Sequence, residues 1–177
     1  MSNPLAPKAF RAKRKLFWLF AGVALVLDQL SKHFLWHAPG DGPPRTAIIP
    51  GLLNIVSHPG NTGGALGLPG NPLIYAIAAV VGLGLISYFF FTTDAAHGTT
   101  HAALGLLAGG AVGNLADRLM FGFVRDFIDL HWRDVYHWHT FNLADSAICV
   151  GVFIIACSAL FCSGPAPDAE GNTDAPE

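Results

Sequence analysis

Long apolar segments alternate with shorter polar ones along this chain. Four of the apolar segments approach or exceed the roughly 20 residues that a helix needs to cross a bilayer. They are Leu16–Trp36, Pro72–Thr92, His101–Phe121 and Phe141–Cys162. The pattern predicts an all-α membrane protein in which four transmembrane helices form one domain over residues 16–163.

The polar segment between the first two predicted helices, His37–Asn71, has a pattern of its own. Its sequence "RTAIIPGLLNIVSHPGNTGG" places β-branched and leucine pairs between Gly and Pro residues, which is typical of short strands and turns. Lipid cannot satisfy open strand edges, so this backbone must lie at the membrane interface or against protein. We therefore expect a small β-rich loop outside the bilayer.

Composition supports a membrane protein. Hydrophobic residues make up 52% of the chain and charged residues 12%, against about 25% charged in a typical soluble domain. Mean hydropathy is +0.45. Cys149, Cys157 and Cys162 lie in one apolar run, at spacings that match no thiolate metal motif, and are predicted to be buried small apolar residues.

The distribution of charge predicts the orientation. Five of the ten Lys and Arg residues fall between Lys8 and Lys15, so residues 1–15 should form a basic N-terminus that stays in the cytoplasm. Four spans return the C-terminus to the same side, where the polar, Pro-rich residues 164–177 are predicted to form a disordered tail. His37–Asn71 and Gly122–Thr140 then face outward. Three arginines lie in these outer loops, so the orientation rests on the N-terminal cluster alone.

Several ionisable residues lie inside the predicted spans, where they are energetically costly. Asp28 and Lys32 are four apart and can form an ion pair on one helix face. A stripe on the third helix carries Gly110, Asn114, Asp117 and Arg118. Structural hydrogen bonding between helices and the shaping of an active site both explain these residues. The small residues Gly109, Gly110 and Gly113 allow another helix to approach closely.

Two acids fall at the outer ends of the last two predicted helices. Asn142 is a plausible N-cap for the fourth helix, which places Asp145 in its first turn. Asp126 follows the third helix, at the same expected depth. Two adjacent carboxylates would share a proton, and such a pair can activate water as aspartic proteases do. Asp129 and Asp134 are predicted to be solvated acids on an amphipathic interfacial segment.

At these residues the chain resembles the lipoprotein signal peptidase family, the bacterial signal peptidase II enzymes, which are intramembrane aspartyl proteases. Five motifs occur in order over four predicted spans, between Asp28 and Ser146. They are "DQLSK" at 28–32, "NTGGALG" at 61–67, "GGAVGNLADR" at 109–118, "VRDFI" at 124–128 and "FNLADS" at 141–146. The second departs from the family's N-x-G-A-A-F pattern, with Gly64 in place of Ala and Leu66 in place of Phe.

The resemblance implies roles for individual residues. Asp126 and Asp145 would be the catalytic pair. The supporting and substrate-binding residues would be Asn61, Gly63, Asn114, Asp117, Arg118 and Asn142, with Asp28 and Lys32 more distant.

The resemblance also implies the reaction. A diacylglyceryl-modified prolipoprotein would be cleaved on the amino side of its lipidated cysteine, near the outer leaflet of the cytoplasmic membrane. The expected partners are this substrate and membrane lipids. No cofactor, metal or nucleic acid is expected, and the chain is predicted to be a monomer.

Single features of the sequence also fit three other functions. A proton-coupled transporter or relay also uses intramembrane acids, but a relay spreads them across the bilayer, whereas the inner halves of these spans lack acids. A metal hydrolase would use His131, His137 and His139, whose offsets of 6 and 2 match no zinc-protease helix; a belt of interfacial histidines explains them better. A serine–lysine peptidase would need Ser31 and Lys32, which point to different helix faces.

Overall fold

The computed structural model describes residues 6–43, 45–63, 71–93, 97–133 and 135–161, with side chains from Arg14 to Leu160 within those ranges. These residues form four helices and four strands. In chain order they are α1 (Ala6–Leu35), β1 (Arg45–Ile49), β2 (Leu53–Val56), α2 (Pro72–Thr92), α3 (Gly98–Phe121), β3 (Ile128–Trp132), β4 (Tyr136–His137) and α4 (Leu143–Phe161). Helices therefore occur at all four predicted segments.

The largest difference in helix bounds is at the start of α1. The helix begins at Ala6, ten residues before the predicted apolar segment. The basic stretch continues the helix because Lys, Arg and Ala are strong helix formers and neither Gly nor Pro follows Lys8 until Gly22. By contrast, α2 begins and ends where predicted, with Pro72 at its start and the Asn71 side chain accepting a hydrogen bond from the Leu73 amide at 2.9 Å.

The helix α3 lies at the centre of the bundle and packs against α1, α2 and α4. Its glycines make this possible. A Cβ atom at Gly109 would collide with the Ala21 carbonyl oxygen of α1, and one at Gly110 with the Ala144 carbonyl oxygen of α4. Close approach was predicted for one neighbouring helix, and the structure shows it for two.

The strands form a single antiparallel sheet in the order β1-β2-β3-β4. The strands predicted in the first outer segment are present as β1 and β2. The second segment, predicted as an amphipathic interfacial stretch, instead supplies the hairpin β3–β4. Isolated bridges pair Asn61 with Val124 and Ile128 with Phe141, so the sheet draws both segments toward the N-terminus of α4.

Two helical stretches are long and apolar enough to cross a membrane among the described residues: Pro72–Thr92 and Leu143–Leu160. The other two helices, α1 and α3, carry the buried ionisable side chains, which lowers their apolar content. Cys149 is exposed on α4 and Cys157 is half-buried, so the predicted burial was wrong for Cys149. Cys162, Gly64, Leu66 and the tail 164–177 lie outside the described residues.

Candidate active site

Asp126 lies in the short connection between α3 and β3 and is 1% exposed. Two side-chain amides donate to its carboxylate. Asn61 Nδ2 lies 2.9 Å from Oδ2, and Asn142 Nδ2 lies 2.7 Å from Oδ1. Burial, and after it the nearby charge of Asp145, raise the pKa of Asp126 from 3.8 to about 7, against the opposing effect of the two amides. Asp126 therefore exchanges its proton near neutral pH.

Asp145 is held by the start of α4. The Asn142 Oδ1 atom accepts from the Asp145 amide at 3.0 Å, and the Asp145 Oδ2 atom accepts from the Asn142 amide at 3.2 Å. This reciprocal pair is a capping box, in which two otherwise unpaired amides of the first helical turn are satisfied. The N-cap predicted at Asn142 is confirmed. Asn114 Nδ2 donates to the other carboxylate oxygen at 2.8 Å.

One buried residue thus connects the two acids. The Asn142 side chain is fully buried; its amide nitrogen donates to Asp126, while its oxygen and backbone amide engage Asp145. The Asn142 Nδ2 atom also donates to Asn114 Oδ1 at 3.1 Å, so the orientation of the side-chain amide is fixed. The structure brings the two acids together from different elements, as the sequence predicted.

The ion pair predicted between Asp28 and Lys32 is present, with Lys32 Nζ 2.8 Å from Asp28 Oδ2. The lysine also donates to Asn114 Oδ1 at 2.9 Å and lies 3.2 Å from Asp117 Oδ2. The other oxygen of Asp28 accepts from the Ala144 amide at 2.9 Å. Asp28 and Lys32 therefore reach the two acids through Asn114 and the first turn of α4.

Asp117 and Arg118 reach different partners, as the sequence suggested. Asp117 faces Lys32, whereas the Arg118 guanidinium donates to the Gly63 carbonyl oxygen at 3.1 Å and to the Asn114 carbonyl oxygen at 3.3 Å. Gly63 in turn donates its amide to Asn61 Oδ1 at 2.9 Å. Arg118 therefore fixes the turn that presents Asn61 to the acids.

Two supporting residues were missed from the sequence. Arg125 donates its backbone amide (2.9 Å) and its guanidinium (2.7 Å) to Asp117. The same guanidinium donates to Gln29 Oε1 at 2.9 Å, and Gln29 Nε2 donates to Asp28 Oδ2 at 3.1 Å. Arg125 and Gln29 lie inside the motifs "VRDFI" and "DQLSK", directly beside Asp126 and Asp28. This position in the motifs is the sequence feature that could have identified them. Arg125 holds the chain on the N-terminal side of Asp126.

Comparison with known proteins connects this geometry to a family. The family model described as signal peptidase (SPase) II matches residues 20–161, which include every site residue above. The chain belongs to the signal peptidase II family.

Curated relatives and solved structures agree with this membership. Lipoprotein signal peptidases from two Coxiella burnetii strains are 38% identical over 89% of this chain and 98% of their own length, and 40% identical over 82% and 90%. The structure of a bacterial membrane enzyme determined by the in meso method at 2.3 Å resolution superposes with a TM-score of 0.73, at 29% identity, over 90% of this chain and 94% of that one.

The structure corrects the prediction made for Asp129. It was expected to be a solvated acid, but it is 4% exposed. Asn54 Nδ2 of the neighbouring strand donates to its Oδ2 atom at 3.0 Å, and Arg45 Nη2 lies 3.5 Å from the same oxygen. The predicted belt of interfacial histidines also fails at His131, which is 5% exposed. Partners on another strand caused both errors, since nothing in the local sequence indicates them. Asp134 lies outside the described residues.

Proposed function

We propose that the chain is an intramembrane aspartic endopeptidase that removes the signal peptide from diacylglyceryl-modified prolipoproteins, cutting before the lipidated cysteine. The observation that carries the proposal is the attachment of Asp126 and Asp145 to opposite ends of one buried asparagine, Asn142. Relatives over most of the chain are lipoprotein signal peptidases, which supports the substrate class.

The chemistry follows from one proton shared by two carboxyl groups. The ionised carboxylate takes a proton from a water molecule as that water attacks the scissile carbonyl carbon. The protonated carboxyl group donates to the carbonyl oxygen, and a proton then passes to the departing amine. Because the pKa of Asp126 lies near 7, Asp126 supplies the protonated carboxyl group of the pair at pH values up to about neutral. No metal or cofactor is needed for these steps.

The helix surfaces support four membrane spans. Large apolar side chains point outward on every helix, including Trp18 (68% exposed) on α1, Val80 on α2, Leu119 (74%) on α3 and Phe153 (69%) on α4. Apolar surface of this extent needs lipid or protein to cover it. With the basic N-terminus retained in the cytoplasm, both termini lie inside. The sheet and the two acids then lie near the outer leaflet of the cytoplasmic membrane, where a lipid-anchored scissile bond would sit. A monomer contains the whole site.

The transporter alternative is not favoured. The acids that are buried within or beside the helices, Asp28, Asp117, Asp126 and Asp145, belong to one connected network. A relay would need acids distributed toward the inner surface. The family match also indicates a peptidase.

The test uses two single variants, Asp126→Asn and Asp145→Asn, expressed in cells that lack their own enzyme. A lipidated precursor should accumulate uncleaved in both, while each variant remains inserted in the membrane. Asp41→Asn is the matched control, because this exposed aspartate lies in the loop before β1 and should leave processing normal. Normal cleavage by either site variant would refute the proposed pair.

A further inference from the structure

A second group of polar side chains lies on the outer sheet, apart from the proposed catalytic network. Asp129 and His131 project from β3 and His137 from β4. One donor atom from each of these three residues lies within 4.8 Å of the other two. We call them the sheet cluster. None of the three touches Asp126 or Asp145 through the hydrogen bonds described above.

The two histidines approach the two oxygens of a single carboxylate. His137 Nδ1 lies 3.1 Å from Asp129 Oδ1, and His131 Nδ1 lies 3.6 Å from Asp129 Oδ2. In a tetrahedral zinc site with bonds of about 2.0–2.2 Å, neighbouring donor atoms lie roughly 3.3 Å apart. The two distances from Asp129 to the histidines are close to this value, and all three donor atoms lie within 4.8 Å of one another. Small side-chain rotations would therefore bring the three donors onto one ion.

Neighbouring groups hold the donors ready. Asn54 Nδ2 donates to Asp129 Oδ2 at 3.0 Å and lies 3.3 Å from His131 Nδ1. Since an amide nitrogen only donates, His131 Nδ1 is the acceptor and the ring carries its proton on Nε2. The Nδ1 lone pair would pass from the Asn54 amide to the ion when the ion binds. The two imidazole rings stack, with their centroids 5.2 Å apart and an angle of 14° between their planes. The rings of His131 and His137 therefore lie side by side next to Asp129.

Burial is uneven in a way that suits a metal ion. The side chains of Asp129 and His131 are 6% and 4% exposed, whereas that of His137 is 41% exposed. The protected donors provide a fixed base, and the open side next to His137 leaves room for entry and for a water ligand. Arg45 lies 3.5 Å from Asp129 but is 48% exposed, so its side chain can swing into solvent when an ion replaces its charge.

We propose that the sheet cluster binds one divalent transition-metal ion of the zinc type. The ligands are a carboxylate oxygen of Asp129 and the Nδ1 atoms of His131 and His137, with water as the fourth. Two imidazoles and one carboxylate suit zinc, copper or nickel, whereas calcium and magnesium take oxygen ligands. To bind the ion through Nδ1, His137 takes the tautomer that carries its ring proton on Nε2.

The ion would connect β3 to β4. These strands occupy the segment that runs from Asp126 to Asn142, so the bound ion would restrict the hairpin between the two proposed catalytic residues. Its role is structural, since the three ligands are separate from the residues that hold the catalytic acids.

The experiment measures Zn²⁺ binding to the full-length chain, purified in detergent without a polyhistidine tag, by competition with a chromogenic chelator. His137→Gln removes one ligand at an exposed position, where the fold should tolerate it. His139→Gln is the matched control, because this exposed histidine lies outside the sheet cluster. Co²⁺ replacing Zn²⁺ should give the visible absorption of a tetrahedral site.

We expect one Zn²⁺ per chain, with affinity lowered by more than about 10-fold in His137→Gln, since loss of even an outer partner of a ligand costs 10–100-fold. His139→Gln and Asp126→Asn should bind as the unmodified chain does. Equal affinity in His137→Gln, a loss in Asp126→Asn, or no stoichiometric binding by the unmodified chain would each overturn the proposal. A Zn²⁺-dependent rise in melting temperature that His137→Gln abolishes would support it independently.

Discussion

The buried carboxyl group of Asp126 should make the protein less stable as the pH rises, and Asp126→Asn should remove that dependence. The pKa of Asp126 is raised in the folded protein, from 3.8 to about 7. A carboxyl group with a raised folded pKa contributes most stability below its unfolded pKa. That contribution is lost as the pH rises through the interval up to the folded value. Asparagine mimics the neutral acid at every pH.

The magnitude follows from the two pKa values. A difference of about 3 units corresponds to roughly 4 kcal/mol of unfolding free energy at pH well above 7. Between pH 5 and pH 8 the variant should therefore gain roughly 2–3 kcal/mol relative to the unmodified chain. For a chain of this length that is a melting-temperature difference of roughly 5–10 °C.

The slope with pH is the quantity to measure, because the substitution has a constant cost. Both oxygens of Asp126 accept from amide nitrogens, and neither amide can rotate. The oxygen of Asn61 is used by the Gly63 amide, and that of Asn142 by the Asp145 amide. An asparagine at position 126 places one NH₂ group against another, at about 1–3 kcal/mol independent of pH.

The assay is thermal unfolding in detergent at pH 5, 6, 7 and 8, followed by intrinsic tryptophan fluorescence. Asp41→Asn serves as the control for removing a solvent-exposed carboxylate. If the melting-temperature difference between Asp126→Asn and the unmodified chain stays constant or shrinks as the pH rises, the assigned protonation of Asp126 is wrong.

Three further predictions concern helix packing, capping and catalysis. Gly110→Ala should destabilise the fold by about 1–3 kcal/mol in thermal unfolding, because the new methyl group meets a backbone carbonyl of α4. Asn142→Ser should be more stable than Asn142→Ala by about 1 kcal/mol, because serine retains the cap, although both should process precursor poorly. Asn61→Ala should shift the basic limb of the pH–activity profile upward by about 1 unit, because it removes a hydrogen bond that lowers the pKa of Asp126.

Each of these predictions has a distinguishing control. Gly82→Ala lies on α2, where a Cβ atom meets nothing within 4 Å, and should be neutral or slightly stabilising; equal destabilisation by both glycine variants would rule out the packing argument. If Asn142→Ala and Asn142→Ser have the same melting temperature, the capping box does not contribute to the stability of the fold. A basic limb that stays in place or moves to lower pH in Asn61→Ala contradicts the role given to that amide.

The helices were predictable because signals that are local in the sequence determine them. Apolar length located all four, the i, i+4 spacing gave the pair of Asp28 and Lys32, and the sequence before Asp145 gave its cap. What the sequence did not provide was contact between distant strands. The burial of Asp129 depends on Asn54, 75 positions away, and no local pattern encodes that pairing. The position of Asp28 beneath the Ala144 amide, 116 positions away, was missed for the same reason.

The capping box at Asn142 has a consequence for the thermal inactivation of the enzyme. The hydrogen bonds that start α4 are also the ones that position Asp145, so unwinding a single helical turn would separate the proposed catalytic pair. Inactivation then does not require the helices to separate. A heated sample can lose its activity while far-ultraviolet circular dichroism still shows nearly its full helix content.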